Sequence, residues 1–202
     1  MSRTSPILAL VIVACGLAAV PALAQTRDET AEFLFRGGRI QTPDLKVFVG
    51  KDATIKEESC IVTVSGKIDG ERFSKYSVGK APNPLVALGG HAYSIRIDFN
   101  KLLPMYYELS REKYGTVVRI IGEDDALQST VPTVTNGKEI LAMGTLYAGK
   151  PAPEVRDGET VASSELVVGY LESDVSAQRL ARIGNAFKYF LGSFCPGKKS
   201  AY

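Results

Sequence analysis

The stretch His91-Ala-Tyr-Ser-Ile-Arg-Ile-Asp-Phe99 alternates between apolar and polar side chains. A period of two is the repeat of a β-strand, so Tyr93, Ile95, Ile97 and Phe99 share one face while Ser94, Arg96 and Asp98 share the other. A strand of this kind needs a core on one side and water on the other, the habit of antiparallel sheets. Residues 60–68 repeat the pattern, with Cys60, Val62, Val64 and Ile68 opposed to Thr63, Ser65 and Lys67. Asp69-Gly70 then reads as a two-residue hairpin turn, predicting a returning strand over 71–78. Further strands are expected over 116–121, 139–147 and 165–172. Residues 80–90, with two prolines and two glycines, read as a loop. Residues 101–114 read as an irregular segment holding a helical turn or two, interrupted at Pro104. Residues 148–164, rich in proline, glycine and charge, are expected to form a long mobile loop.

The period changes at the two ends. Thr26-Arg-Asp-Glu29 has the spacing of a capping box, which predicts a short helix over 27–36 stopped by Gly37-Gly38. Near the C-terminus, Ser173-Asp174 offers caps for a last helix. There Ala177, Leu180, Gly184, Phe187, Leu191 and Phe194 recur every three or four residues and fill one half of a helical wheel. Gln178, Arg179, Arg182, Asn185 and Lys188 fill the other half. The order helix, strands, helix predicts an α+β fold. Its curved, mostly antiparallel sheet would be packed by an amphipathic C-terminal helix and a short N-terminal one, an order that pleckstrin-homology-like domains also satisfy. That analogy concerns fold and carries no function.

Residues 1–24 read as a secretory signal peptide: Arg3, an apolar run over 7–20, then Pro21 and the small-residue site Ala22-Leu-Ala24. The run is too short for a membrane anchor, which takes about 20 apolar residues. Ile12-Val-Ala-Cys15-Gly16 offers a second processing route, acylation of Cys15 as in bacterial lipoproteins. Cleavage after Ala24 leaves residues 25–202 as a single globular domain, with no membrane span, in the periplasm or secreted. The cleavage removes Arg3 alone among charged residues, so the net charge falls from +2 to +1. So small a surplus excludes bulk nucleic-acid binding, which needs a concentrated basic surface.

Two cysteines remain, Cys60 and Cys195. Cys60 shares the strand face that the last helix must cover, and Cys195 ends that helix, so a Cys60–Cys195 disulfide is expected. Thr30-Ala-Glu-Phe33 near the mature start, Ala177-Gln-Arg-Leu-Ala-Arg182 and Cys195-Pro-Gly-Lys-Lys199 carry a resemblance. The chain resembles a loose group of small uncharacterised exported bacterial proteins. They begin with a short helix and end in an amphipathic helix followed by Cys-Gly-Lys-Lys. The resemblance implies export but no activity.

The chemistry on offer is sparse. His91 is the only histidine, which rules out multi-histidine metal sites. A hydrolase or transferase would have to use it with a carboxylate such as Asp98 or Glu108. The segment 192–199 approaches a phosphate-binding loop but lacks the Ser or Thr after the lysine and the strand before it. Glu123-Asp-Asp125 lacks the wider spacing of a calcium loop. No cofactor or metal is therefore expected. Tyr106, Tyr107 and Tyr114, near Pro104 and Met105, concentrate aromatic groups that can line a groove. The expected function is non-catalytic binding of a small apolar ligand or another envelope component through this region. The alternatives are an enzyme built on His91, or a purely structural envelope protein.

Overall fold

The computed structural model describes residues 26–74, 83–134 and 154–196. The segment 1–24, expected to be a signal peptide, with Cys15, the strand expected over 139–147 and the Lys198-Lys199 tail lie outside them, as do parts of the segments 71–78, 80–90 and 148–164.

The capping box forms as written. Thr26 Oγ1 accepts from the Glu29 amide, Glu29 returns a carboxylate to the Thr26 amide, and α1 (Arg27–Phe35) starts there. Two short strands follow as a hairpin, β1 (Arg39–Gln41) and β2 (Lys46–Phe48). A second hairpin joins β3 (Thr54–Glu58) to β4 (Ile61–Lys67). Then β5 (Ala92–Asp98) pairs with β4 and continues through a 3₁₀ turn into β6 (Leu102–Glu112). The chain returns as β7 (Gly115–Gly122) and β8 (Leu127–Thr130). The short pair β9 (Thr133–Val134) and β10 (Val155–Arg156) precedes β11 (Thr160–Ser163) and β12 (Glu165–Leu171).

Among the described residues these strands form two antiparallel five-stranded sheets beside the β9–β10 pair, ordered β2-β1-β12-β7-β6 and β11-β8-β5-β4-β3. They meet at one corner, where β5 runs into β6, β7 into β8 and β11 into β12. Hydrogen bonds cross it from the Gly122 amide to the Ser164 carbonyl (2.6 Å) and from the Asp98 amide to the Ala126 carbonyl (2.8 Å). The two sheets are thus arms of one bent meander. Gly122 permits the bend, since a β-carbon there would lie 2.7 Å from Ala126 Cβ and 2.9 Å from the Lys101 carbonyl oxygen. The fold is α+β, with the core inside the bend. Phe35, Phe99, Phe187 and Phe190 meet there edge to face, Phe99 and Phe190 with centroids 4.9 Å apart. Among the described residues no helix is long and apolar enough to cross a membrane.

Several expectations are corrected. Asp69-Gly70 opens no hairpin, because Asp69 Oδ1 accepts from the Glu71 amide and starts the helical turn α2 (Glu71–Ser74). The strand returning beside β4 is β5 instead. Part of the segment 80–90 is a 3₁₀ helix, Pro84–Leu88, capped by Asn83. Residues 101–114 begin at the end of a short 3₁₀ turn, Phe99–Lys101, and then form β6, the longest strand among the described residues, rather than helical turns. Pro104 is tolerated there because β6 is an edge strand and its register with β7 jumps between Leu102 and Tyr107, leaving the proline in a bulge. The described part of 148–164 holds β10 and β11 instead of a loop. Asp98 is buried rather than wet, since it caps the corner turn through the Asn100 amide.

The last helix, α3 (Ala177–Tyr189), is capped by Ser176 and not by Ser173 or Asp174. It ends in a π-helical turn, Phe190–Phe194, in which the Cys195 amide donates to the Phe190 carbonyl. The wider turn rotates Cys195 inward, fully buried, and leaves Phe194 half-buried. Cys195 is bridged to Cys60, with Cα atoms 5.4 Å apart. Cys60 is not in the strand but in the β3–β4 turn, where Ser59 (φ 53°) and Cys60 (φ 66°) both take left-handed conformations.

Candidate functional site

The bent meander leaves β2 and β3 as its outer strands, and the loop 49–53 connects them. A cleft of about 770 Å³ lies against this loop, within the 300–1,000 Å³ typical of small-molecule sites. Separate parts of the chain supply its wall: the end of α1, the loop 49–53, the end of β4, α2, β5 and the start of α3.

Arg36, just past α1, braces the floor. Its Nη1 donates to the carbonyls of Gly50, Lys51 and Ala53 at 2.5–2.8 Å, and its Nε to Glu32 at 2.6 Å. Asp174 forms the next support. Its side chain is 6 % exposed and holds two arginines, Arg39 at 3.0 Å and Arg72 at 2.8 Å. A carboxylate so nearly buried persists because two guanidinium groups replace its water. Arg72 also stacks on the Phe48 ring, 3.2 Å above its centroid. A smaller pocket of about 50 Å³, lined partly by Leu45, Val47 and Ile68, adjoins this stack.

Arg179 closes the inner end. Its Nη2 donates to the carbonyls of Phe33 and Arg36, supplying the cation that the last turn of α1 lacks. Burial pulls its pKa below the usual arginine value, with Tyr170 and Glu32 opposing. The Tyr93 hydroxyl reaches the cleft across Gly66, where a β-carbon would stand 3.1 Å from it. Burial raises the pKa of Tyr93, and Arg36 pulls the other way. The cleft therefore sets several donors in a wall that is otherwise largely apolar.

The residues singled out in the sequence lie elsewhere. Met105 and Tyr106 are 55 % and 52 % exposed on the bulge of β6, and Tyr114 is 64 % exposed at the β6–β7 turn. Tyr107 turns inward, donating to the Gly184 carbonyl of α3 at 3.4 Å, and burial raises its pKa. His91 precedes β5 while Asp98 ends it, so the seven intervening steps separate them by about 20 Å along the strand. Glu108 lies beyond the corner, in register with Arg119. No His91–Asp98 dyad forms, and Glu108 belongs to the other sheet. Glu57 comes within ligand distance of Cys60 and Cys195, but the disulfide occupies both sulfurs.

Arg36, Lys51, Lys67, Arg72 and Arg179 went unnoticed as a group because no motif joins positions so far apart in the chain. The chain matches no protein-family model, no curated protein and no solved structure.

Proposed function

We propose that this chain is an exported, non-catalytic binding domain that holds a small polar ligand in the cleft beside the 49–53 loop. One observation carries the reading: side chains from widely separated parts of the chain converge on a single concavity, where Asp174 fixes Arg72 and Arg36 fixes the backbone of the 49–53 loop. Such prior ordering lowers the entropy lost when a ligand binds. Export is supported by the signal-like residues 1–24 and by the Cys60–Cys195 bridge, a bond that persists in oxidising compartments. The cationic side chains and donors on the wall favour a ligand with polar groups over the purely apolar one expected from the sequence.

The test is a thermal-shift screen of the mature protein against charged and neutral small metabolites, followed by calorimetry. A ligand at 100 times its Kd stabilises the fold by about 2.7 kcal/mol. A saturable rise in Tm that is lost in Tyr93→Phe would support the reading, and a screen with no saturable rise would end it.

A second reading rests on β6. Its bulged outer strand exposes Met105, Tyr106 and, at 39 %, Leu109, which suits docking of an envelope component along the edge. Photo-crosslinking from position 106 in intact cells tests it. A discrete adduct absent when the probe sits at exposed Glu172 would support the reading, and equal labelling from both positions would remove it.

A further inference from the structure

We propose that the ligand of this cleft is a small dianion, a phosphate monoester or a dicarboxylate, held by Arg179, Lys51 and Lys67. The inference rests on the cleft being a ligand site and adds the chemistry of what enters it. Local charges divide into answered and unanswered ones. Glu32 answers Arg36, while Asp174 with Asp69 answers Arg39 and Arg72. Among the described residues, Arg179, Lys51 and Lys67 are left on the wall, with Asp52 as the one further carboxylate there. The cleft thus carries a surplus of two positive charges.

The geometry of Arg179 strengthens the case. Its Nη2 is spent on two backbone carbonyls, but its buried Nε has no hydrogen-bond partner among the described residues. No carboxylate pairs with it there either, although it is half-buried. Its Nη1 lies beside Gly37, 3.8 Å from where a β-carbon would stand, on the wall that both residues share. Since that Nε is enclosed by protein, the donors Arg179 offers an entering oxyanion are those of Nη1, and charge-assisted bonds to it are roughly twice as strong as neutral ones. Lys51 and Lys67 are exposed at the rim and make no ion pair among the described residues, so they can close over a second charge. The Tyr93 hydroxyl adds a neutral donor.

The experiment titrates the mature, disulfide-bonded protein with inorganic phosphate, glycerol 3-phosphate and succinate, using acetate and glycerol as controls at matched ionic strength. Saturable binding of a dianion, weakened by salt, is expected. Arg179→Ala would remove binding but would also uncap α1, so the deciding variant is the rim double substitution Lys51→Glu with Lys67→Glu. Because both lysines are exposed, its Tm should stay unchanged while affinity falls at least about tenfold. The dianion assignment is overturned if the three anions bind no better than the controls, or if the rim variant binds them unchanged. In either case, a neutral ligand found in the broader screen would leave the cleft reading standing, whereas a screen with no ligand would remove both.

Discussion

Removing the Cys60–Cys195 bridge should be among the most destabilising changes this fold can suffer without loss of core volume. The bridge spans 135 residues, and the chain-entropy relation for a loop of that length gives about 5 kcal/mol. For a domain of this size each kcal/mol moves Tm by about 2–4 °C, so the reduced protein should melt about 10–20 °C lower. The turn sharpens the expectation. Ser59 and Cys60 both hold positive φ, which disfavours non-glycine residues by about 1–2 kcal/mol each, and the bridge helps to hold that turn against the inward-facing π turn at Phe190–Phe194. The assay is urea and thermal unfolding of the oxidised protein, the reduced protein and the Cys60→Ala, Cys195→Ala double variant. The two uncrosslinked forms should agree with each other, with a larger m-value than the oxidised form because their unfolded chains expand further. A loss below about 1 kcal/mol in both would refute the reasoning, since it would place the stabilisation elsewhere.

Other outcomes follow from the same structure. Ser59→Asn should stabilise by about 0.5–1 kcal/mol in urea melts, since asparagine tolerates the left-handed first position of a two-residue turn. Asp174→Asn should lower stability by about 2–4 kcal/mol, because it strands Arg39 and Arg72 beside a neutral amide, and a wild-type urea midpoint would contradict this. Tyr170 is fully buried with its hydroxyl on the Leu34 carbonyl, 2.6 Å away, and burial pushes its pKa well above the ordinary value. The unfolded phenol therefore ionises first. The stability tied to Tyr170 is complete below about pH 10 and declines as pH rises toward its folded pKa, by up to about 1.4 kcal/mol per pH unit. Tyr170→Phe should flatten this alkaline slope in pH-dependent melts while lowering neutral-pH stability by about 1–3 kcal/mol through the unanswered carbonyl.

Local patterns carried a large part of the fold. The capping box at Thr26, the alternation through β5, the apolar stripe of α3 and the pairing of Cys60 with Cys195 are all legible in the chain, because each depends on spacing within one element or on a face that must be buried. Less legible were features decided by competition between elements. Asp69-Gly70 has hairpin chemistry but starts a helix, since β4 finds its neighbour in β5. Pro104 looks like a breaker but is accommodated at a sheet edge. Asp174 looks like a helix cap but is drawn to two arginines from distant segments. The cleft belongs entirely to this second kind. The sequence alone determined an antiparallel α+β domain tied by one bridge, because periodicity and burial act over a few residues. Only the tertiary structure decided that Arg36, Lys51, Lys67, Tyr93 and Arg179 share one wall, because the bend of the meander and the placement of α3 bring together side chains that are far apart along the chain.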